Sequence, residues 1–237
     1  EWVAFVGAGG KSSLLLGLGA ELSAATNGVV MTTTTKMGTS QIPEWTTVCR
    51  TDGEVSTALK RGEPVFLVGG IAGEKVTGVA PEVADRVFAT AAVDYLLAEA
   101  DGARGKSFKA PAPHEPVIPA AATLVVVVAG IDAIGRTIAE VAHRPERVAA
   151  LTGRRADDVV RPADMAHVLG DPEGGRRGVP TGARVVVALT KVSPGSDADA
   201  AAAIADRLKT DPNIDRVVTI DAVTGPVSDA APTGAPS

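Results

Sequence analysis

Aromatic side chains and cysteines are scarce in this chain. Phe, Trp and Tyr make up 3% of the 237 residues, whereas hydrophobic residues make up 45%. The core therefore has to be built from Val, Leu, Ile and Ala, which favours an α/β sandwich of aliphatic strands and helices. The single cysteine, Cys49, excludes a disulfide within the chain and fits a reducing compartment. Its place at the end of an apolar segment predicts a buried thiol rather than a nucleophile.

The sequence also lacks a long apolar run and an excess of positive charge. No apolar stretch reaches the roughly 18 residues of a membrane span, and no signal peptide is visible, so we expect a cytoplasmic protein without a membrane partner. The formal net charge is -5. Because polyanion binding needs a basic surface, this charge argues against nucleic acid as a partner. An anionic ligand would be held by local positive groups.

Apolar runs bounded by turn residues alternate with helical patterns along the chain. The runs predict strands at residues 2–6, 29–34, 64–68, 93–99, 123–129, 184–190 and 216–220. The patterns predict helices at residues 11–25, 53–61, 81–91, 132–140, 144–152, 162–169 and 197–209. Continuous runs such as LVVVVA are typical of strands buried on both faces, as parallel sheets require. The alternation predicts a three-layer, doubly wound α/β fold with a mainly parallel sheet.

Residues 132–182 contain no strand-like run and are rich in Arg, Asp and Pro. We interpret this stretch as a helical insertion in a single domain, residues 1–237, whose core comprises residues 1–131 and 183–223. The remaining residues, 224–237, are rich in Pro, Ala and Gly, and this composition predicts a weakly packed tail.

The segment VGAGGKSSLL, residues 6–15, carries the strongest functional signal. An apolar strand leads into a glycine-rich turn with a Lys-Ser pair, and an apolar helix follows, which predicts a P-loop-like phosphate site. The spacing is shorter than in the standard G-x-x-x-x-G-K-[ST] pattern and resembles the G-x-x-G-K-[ST]-[ST] variant of the Mur ligases. Lys11 would neutralise the terminal phosphates, and Ser12 would bind Mg²⁺. The alternative is a glycine-rich turn with a surface lysine. The predicted nucleotide-binding residues of this loop are Gly7, Ala8, Gly9, Gly10, Lys11, Ser12 and Ser13.

Two further segments follow predicted strands. The run TTTTK ends a strand beside the first one, so Thr34, Thr35 and Lys36 would reach a phosphate or its metal at the carboxyl edge of the sheet. The alternative is that threonine simply has high strand propensity. In EADGARGKSFK, Glu99 and Asp101 at a strand tip are predicted to hold Mg²⁺, with Asp101 in the catalytic centre.

A cationic group follows that acidic strand tip. Three basic residues come directly after the two acids, and we predict that they bind phosphate or another oxyanion; they are Arg104, Lys106 and Lys109. The alternative is a charged surface loop. His114 lies in the proline-rich segment PAPHEPVIP as a candidate acid–base group, although a structural histidine is an equal alternative. No His/Cys cluster has zinc spacing.

The segment ALTKVS resembles the [NT]-K-x-D motif with which many GTPases recognise guanine. Lys191 fits the motif, but the position of the aspartate is taken by Ser193. Lys191 is therefore predicted to stack on a base or ribose, and the choice between ATP and GTP stays open.

These segments together resemble the YqeC family, whose members are regarded as accessory proteins of selenium-dependent hydroxylases. The resemblance is carried, in order along nearly the whole chain, by VGAGGKSSLL, TTTTKM, EADGARGKSFKAPAPHEPVIP, VAGIDAIGR, HRPERVAALTG, GDPEGGRRGVP and LTKV. It implies a P-loop NTPase-like protein that binds a nucleotide. It further implies a part in maturing selenium-containing molybdenum hydroxylases, with a client hydroxylase or cofactor-maturation proteins as partners.

Three functions remain open from the sequence. The first is a Mg²⁺-dependent NTPase or NTP-using transferase that works by positioning and charge neutralisation. The second is a delivery factor that binds a nucleotide or cofactor without turnover and hands it to a client hydroxylase. The third is an ATP-dependent ligase, suggested by the Mur-like loop. The ligase ranks last because the sequence has no substrate domain of sufficient size after the core.

Overall fold

A computed structural model describes residues 1–90, 92–221 and 228–229. Its strands are β1 (Trp2–Gly7), β2 (Val29–Thr33), β3 (Met37–Gly38), β4 (Thr47–Cys49), β5 (Val65–Leu67), β6 (Gly70–Ala72), β7 (Lys75–Thr77), β8 (Tyr95–Glu99), β9 (Phe108–Lys109), β10 (Leu124–Gly130), β11 (Ala142–His143), β12 (Arg184–Val192), β13 (Arg216–Asp221) and β14 (Ser228–Asp229). Its α-helices are α1 (Lys11–Ala25), α2 (Asp52–Lys60), α3 (Pro81–Thr90), α4 (Ile138–Val141), α5 (Pro145–Thr152), α6 (Pro162–Gly170) and α7 (Ser196–Leu208). Short 3₁₀ turns lie at Thr39–Gln41 and Ile131–Ala133.

The described residues form one large sheet and two small ones. The large sheet has nine strands in the order β14-β13-β12-β10-β1-β8-β2-β5-β4. All neighbouring pairs are parallel except β13 and β14. Continuous Val and Leu runs fill the central strands because both faces of a parallel sheet are covered. The mainly parallel α/β fold predicted from the sequence is confirmed.

Alternate residues of β1 pack into two different core clusters, one on each face of the sheet. Trp2, Ala4 and Val6 belong to one cluster, which also includes apolar side chains of α2, α3, α6 and α7. Val3 and Phe5 belong to the other, which α1 covers through Leu15. Helices on both faces of the sheet make the three layers that the alternating pattern predicts.

The seven strands predicted from apolar runs are present within two residues of their expected ends. The helix predicted over residues 132–140 is wrong. The chain forms the 3₁₀ turn Ile131–Ala133, and Gly135 then takes a φ of 78°, so helix α4 begins only at Ile138. The stretch predicted as purely helical also contains β11, which pairs with β9. The predicted tail, 224–237, lies outside the described residues except for β14, as do residues 222–223 of the predicted core.

Strand β1 lies where the winding of the sheet changes direction. The chain passes from β1 to β2 on one side, returns to β8 beside β1, and then crosses to β10 on the other side. Ligands of open α/β sheets bind outside the carboxyl ends of the strands at such a switch point. The loop after β1 occupies this position, which makes it the natural place to look for a site. Among the described residues, none of the helices combines the length and the hydrophobicity that a membrane span needs.

Candidate functional site at the sheet edge

The glycine loop, residues 7–13, runs from the end of β1 into α1. Gly7, Gly9 and Gly10 have φ angles of 92°, 91° and 116°, a region that L side chains rarely adopt. At Gly9 a Cβ atom would lie 2.2 Å from the backbone nitrogen of Gly130 in β10. Only glycine fits at this position, and the loop therefore packs directly against the end of β10.

Some backbone N–H groups of the loop are paired within the protein. Those of Gly7, Ala8 and Gly9 donate to Asp101 Oδ2 (3.1 Å), the Val128 carbonyl (2.9 Å) and the Lys106 carbonyl (3.0 Å). The first backbone bond of α1 runs from the Leu14 N–H to the Gly10 carbonyl at 3.0 Å. The N–H groups of residues 10–13 have no partner among the described residues, as expected at a helix start. The amides available to a phosphate are therefore those of residues 10–13, at the positive end of the helix.

Lys11 opens α1 with a side chain that is almost fully buried. Its ammonium donates to the Gly7 carbonyl at 2.8 Å and forms ion pairs with Asp101 Oδ1 at 3.1 Å and Glu99 Oε1 at 3.5 Å. Strands β1 and β8 pair with Phe5 opposite Glu99, which brings the acidic strand tip beside the loop. The structure thus brings Lys11, Glu99 and Asp101 together at one sheet edge.

Oxygen atoms that suit a divalent cation converge beside Lys11. Ser12 Oγ donates to Glu99 Oε2 at 2.6 Å. Asp101 is 2% exposed, and its Oδ1 has no aligned hydrogen bond although the Lys11 ammonium is 3.1 Å away. A buried carboxylate oxygen with an unfilled bonding position is a good ligand for a cation or an ordered water. Ser12, Glu99 and Asp101 therefore fit the predicted Mg²⁺, provided that Lys11 moves away from the carboxylates.

Protein groups alone would not complete the coordination shell of a Mg²⁺ ion at this position. Across the described part of the chain, no group of three or more His, Cys, Asp and Glu side chains is arranged to hold a metal ion. Mg²⁺ usually keeps several waters and binds through one or two carboxylates plus substrate phosphates. A Mg²⁺ ion here would thus depend on a phosphate ligand for affinity.

A second buried lysine, Lys109, lies behind Asp101. Its ammonium is 3.0 Å from Asp101 Oδ2 and 3.1 Å from Glu115 Oε2, and it donates to the Gly102 carbonyl at 2.6 Å. Glu115 also accepts two bonds from the Arg144 guanidinium, at 2.9 Å and 3.1 Å. Burial raises the pKa of Glu115, but the bonds from Arg144 and Lys109 outweigh burial and lower it to about 2. Lys109 is thus buried, and its ammonium is bonded to protein groups rather than exposed at the sheet edge.

Lys191 lies on the other side of the glycine loop, at the end of β12. The preceding Thr190 donates its hydroxyl to the Gly9 carbonyl, which holds β12 against the loop. Lys191 has a φ of 59°, and its ammonium bonds Ser107 Oγ at 2.9 Å and Asp132 Oδ2 at 2.8 Å. Its charge is therefore already offset by a carboxylate.

The threonine run ends β2 next to Glu99. Thr34 donates its N–H to the Glu99 carbonyl at 3.0 Å and its hydroxyl to a carbonyl of the PAPHEPVIP segment at 3.1 Å. The Thr35 N–H donates to the hydroxyl of Thr33 at 3.1 Å. Lys36 is exposed and has no partner among the residues that the structure describes. Thr34 therefore links the end of β2 to Glu99 and to the PAPHEPVIP segment. Lys36 is the residue of this run whose charge is unpaired among the described residues.

Three other predicted residues lie apart from this centre. Arg104 is exposed, with a φ of 49°. Lys106 Nζ donates to the Glu140 carbonyl in α4 at 2.6 Å. The side chain of His114 is 76% exposed, and its Nε2 is 4.0 Å from Glu115 Oε1. The predicted cationic group of Arg104, Lys106 and Lys109 is thus dispersed, and Arg104 alone of the three has no bonded partner within the described ranges.

Glu115 and Asp132 take part in the site but were not predicted as functional from the sequence. Glu115 and Arg144 balance Lys109, and Asp132 balances Lys191. Burial, followed by the charges of Lys109 and Arg144, lowers the pKa of His143 and favours its neutral form. The only sequence signal for this group was that Glu115 and Arg144 lie in unusual proline-containing segments, which does not reveal that they meet.

The fold and the site define an α/β protein with a glycine loop and a lysine–carboxylate centre at the switch point of its sheet. A family model described as YqeC protein matches residues 3–146, more than half of the chain. The chain is also 34% identical over 195 residues to "Uncharacterized protein YqeC" of Escherichia coli (strain K12), with 81% of this chain and 76% of that protein covered. The chain therefore belongs to the YqeC family, as the sequence motifs indicate. No solved structure matches it.

Proposed function

We propose that the chain binds a nucleoside triphosphate with Mg²⁺ at the glycine loop and uses it in a hydrolytic or transfer reaction. One observation carries the proposal: the Lys11 ammonium lies 2.8 Å from the Gly7 carbonyl and 3.1 Å from Asp101 at the start of α1. A glycine loop that ends in a lysine at a helix N-terminus is an anion site. The adjacent Ser12 and the carboxylates supply oxygen ligands of the kind that Mg²⁺ prefers.

The ion pairs of Lys11 with Glu99 and Asp101 favour an anionic ligand that binds together with a cation. In the free protein Lys11 offsets Glu99 and Asp101, so a bare anion competes with two carboxylates for one ammonium. Lys11 can leave the carboxylates for the phosphates once the carboxylates gain another cation partner. Bound Mg²⁺ would supply charge neutralisation of the phosphate oxygens. The protein's own part is to orient the phosphates with the amides of residues 10–13 and with Lys11, and such positioning is the main source of catalysis in phosphoryl transfer.

Binding and turnover of ATP and GTP by the wild type and by Lys11→Ala, with and without Mg²⁺, test this function. We expect Mg²⁺-dependent binding and turnover in the wild type and background turnover in Lys11→Ala. Lys60→Ala, which removes an exposed lysine at the end of α2, is the matched control and should retain both. Ser12→Ala removes a hydroxyl and no charge, and we expect it to require more Mg²⁺.

The outcomes separate the candidate functions. Thermal unfolding of each variant is measured as well, because Lys11 offsets two largely buried carboxylates and its loss could destabilise the fold. Equal background rates in the wild type and Lys11→Ala would contradict an enzyme. Tight Mg²⁺-dependent binding without product would assign the chain to nucleotide-binding delivery factors. Failure of the folded wild type to bind either nucleotide would contradict the proposal as a whole.

We further propose that nucleotide binding serves the maturation of selenium-dependent molybdenum hydroxylases, the role that the family resemblance implies. Membership of the YqeC family supports this step. In cells that lack the chain, hydroxylase activity should be restored by the wild-type chain and not by Lys11→Ala. Unchanged hydroxylase activity in those cells would refute this role while leaving nucleotide binding intact.

A further inference from the structure

We infer that a groove along α1 receives the base of the nucleotide, an inference that rests on the proposed function. The groove has a volume of about 550 Å³ and lies between α1 and residues 40–45. Ser12 and Ser13, which belong to the glycine loop, are among the residues that line it. The groove is therefore continuous with the expected phosphate site. Its volume falls in the range of about 300–1,000 Å³ that is typical of small-molecule sites.

The groove offers one aromatic surface and an uncharged wall. Trp45 lines it and is 44% exposed, whereas the other tryptophan, Trp2, is fully buried. Leu16 and Gly17 of α1 form part of the opposite wall, and no charged side chain is among the described residues that line the groove. Bases stack on exposed aromatic rings. An uncharged slot with such a ring thus suits a planar heteroaromatic group whose negative charge lies elsewhere in the molecule.

Two polar side chains of the groove can form hydrogen bonds with the edge of a base. Gln41 lines the groove, and its Oε1 accepts from the Gly38 N–H at 2.9 Å. This bond fixes the amide and leaves its NH₂ group as a donor. The hydroxyl of Ser40 is a second donor or acceptor in the lining. An uncharged, mainly apolar slot with a few polar groups is the usual composition of a specific small-molecule site.

The opposite side of the glycine loop is a poorer place for a base. The sequence motif at Lys191 predicts base stacking there, but the Lys191 ammonium is bonded to Asp132 and Ser107. Ser193 stands where a guanine-binding aspartate would be, and its N–H donates to Asp197 Oδ2 at 3.4 Å. The groove along α1 has no such internal ion pair to break.

The test compares ATP and GTP with inorganic tripolyphosphate, each with Mg²⁺. The tripolyphosphate has the phosphates and no base, so it measures the phosphate site alone. We expect at least one nucleotide to bind about tenfold or more tightly than tripolyphosphate. We also expect the nucleotide, and not tripolyphosphate, to quench the fluorescence of Trp45. Trp45→Ala should remove most of the nucleotide's advantage and leave tripolyphosphate binding unchanged.

A second variant fills the groove without removing a contact. A Cβ atom at Gly17 would meet no atom within 4 Å, so Gly17→Leu places its side chain in open groove space and is compatible with the helix. We expect Gly17→Leu to weaken nucleotide binding about tenfold with no effect on tripolyphosphate. Gly53→Leu is the matched control, because Gly53 is also an exposed helix residue with open space around it, on α2.

The outcomes distinguish this inference from the proposed function. If neither nucleotides nor tripolyphosphate bind, the proposed function fails and the inference fails with it. If all three bind with equal affinity, or if Trp45→Ala and Gly17→Leu leave the nucleotide preference intact, the groove is not the base site although the phosphate site stands. Loss of the preference in Lys191→Ala alone would place the base at the end of β12 and overturn the inference.

Discussion

Asp101 is the residue on which the centre depends. One carboxylate oxygen accepts from the Gly7 N–H and pairs with Lys109, and the other lies 3.1 Å from Lys11. The side chain thus fixes the first residue of the glycine loop and shares the charge of two buried ammonium groups. Removing one partner of a buried ion pair leaves an uncompensated charge, which costs far more than the pair contributes.

Asp101→Asn should therefore lower the free energy of unfolding by about 3–5 kcal/mol. The amide keeps the shape of the side chain but leaves Lys11 and Lys109 with one carboxylate fewer between them. Urea unfolding monitored by circular dichroism measures the change. Asp132→Asn is the control: its pair with Lys191 is 41% exposed on both sides, so its loss should cost less than about 1 kcal/mol. Equal effects of the two variants would contradict a buried network at Asp101.

The sequence predicts the acidic half of this centre better than the basic half. Glu99 and Asp101 follow a buried strand, and the ends of parallel strands meet at one edge, so their place beside Lys11 follows from the apolar pattern alone. Lys109 looks like a surface cation in the sequence. Its ammonium is buried between Asp101 and Glu115, and Glu115 is itself bonded by Arg144, which lies much further along the chain. The contact between Glu115 and Arg144 leaves no local pattern in the sequence.

At the scale of elements, the unit of β1, the glycine loop and α1 is set by local sequence. The predicted helix over residues 11–25 matches α1, because an apolar pattern with good helix formers follows directly on the glycines. Most strands of two or three residues, such as β3, β9 and β11, were not predicted, whereas β5 was predicted because an apolar run marks it. Elements of that length form where tertiary contacts bring two segments together, and they carry no periodicity of their own.

Gly9→Ala should destabilise the protein by at least about 2 kcal/mol. Its φ of 91° is unfavourable for alanine, and the new methyl group would lie 2.2 Å from the Gly130 backbone nitrogen. The loop would have to move away from β10. Gly17→Ala is the contrasting control: it lies in α1 with open space around it and should stabilise the protein by about 0.5–1 kcal/mol. Thermal unfolding distinguishes them, and a Gly9→Ala variant as stable as the wild type would contradict this loop geometry.

At the scale of the whole molecule, ion pairs and short strands fasten the chain between β10 and β12 to the sheet edge. Arg144, at the start of α5, bonds Glu115, and Glu115 reaches Asp101 through Lys109. Strands β9 and β11 pair alongside, and the Ser107 N–H donates to the carbonyl of Val141 at 3.2 Å. Composition indicated an insertion, but its attachment depends on contacts across some thirty residues that a single sequence does not encode in any local pattern.

This attachment should weaken in acid. Glu115 has an ordinary pKa of 4.5 and a folded-state pKa of about 2, so the unfolded chain binds its proton first as the pH falls. The stability from Glu115 is complete above pH 4.5 and disappears progressively toward pH 2, with a loss of about 2 kcal/mol between pH 6 and pH 3.

Urea unfolding of the wild type and Glu115→Gln across that pH range measures this loss of stability, because the contributions of the other carboxylates cancel in the difference between the two variants. The difference should shrink by that amount as the pH falls, and Arg144→Ala, which removes the main cause of the low pKa, should follow Glu115→Gln more closely than the wild type. Parallel curves for the wild type and Glu115→Gln would show that the ion pairs with Arg144 and Lys109 do not fasten the segment between β10 and β12.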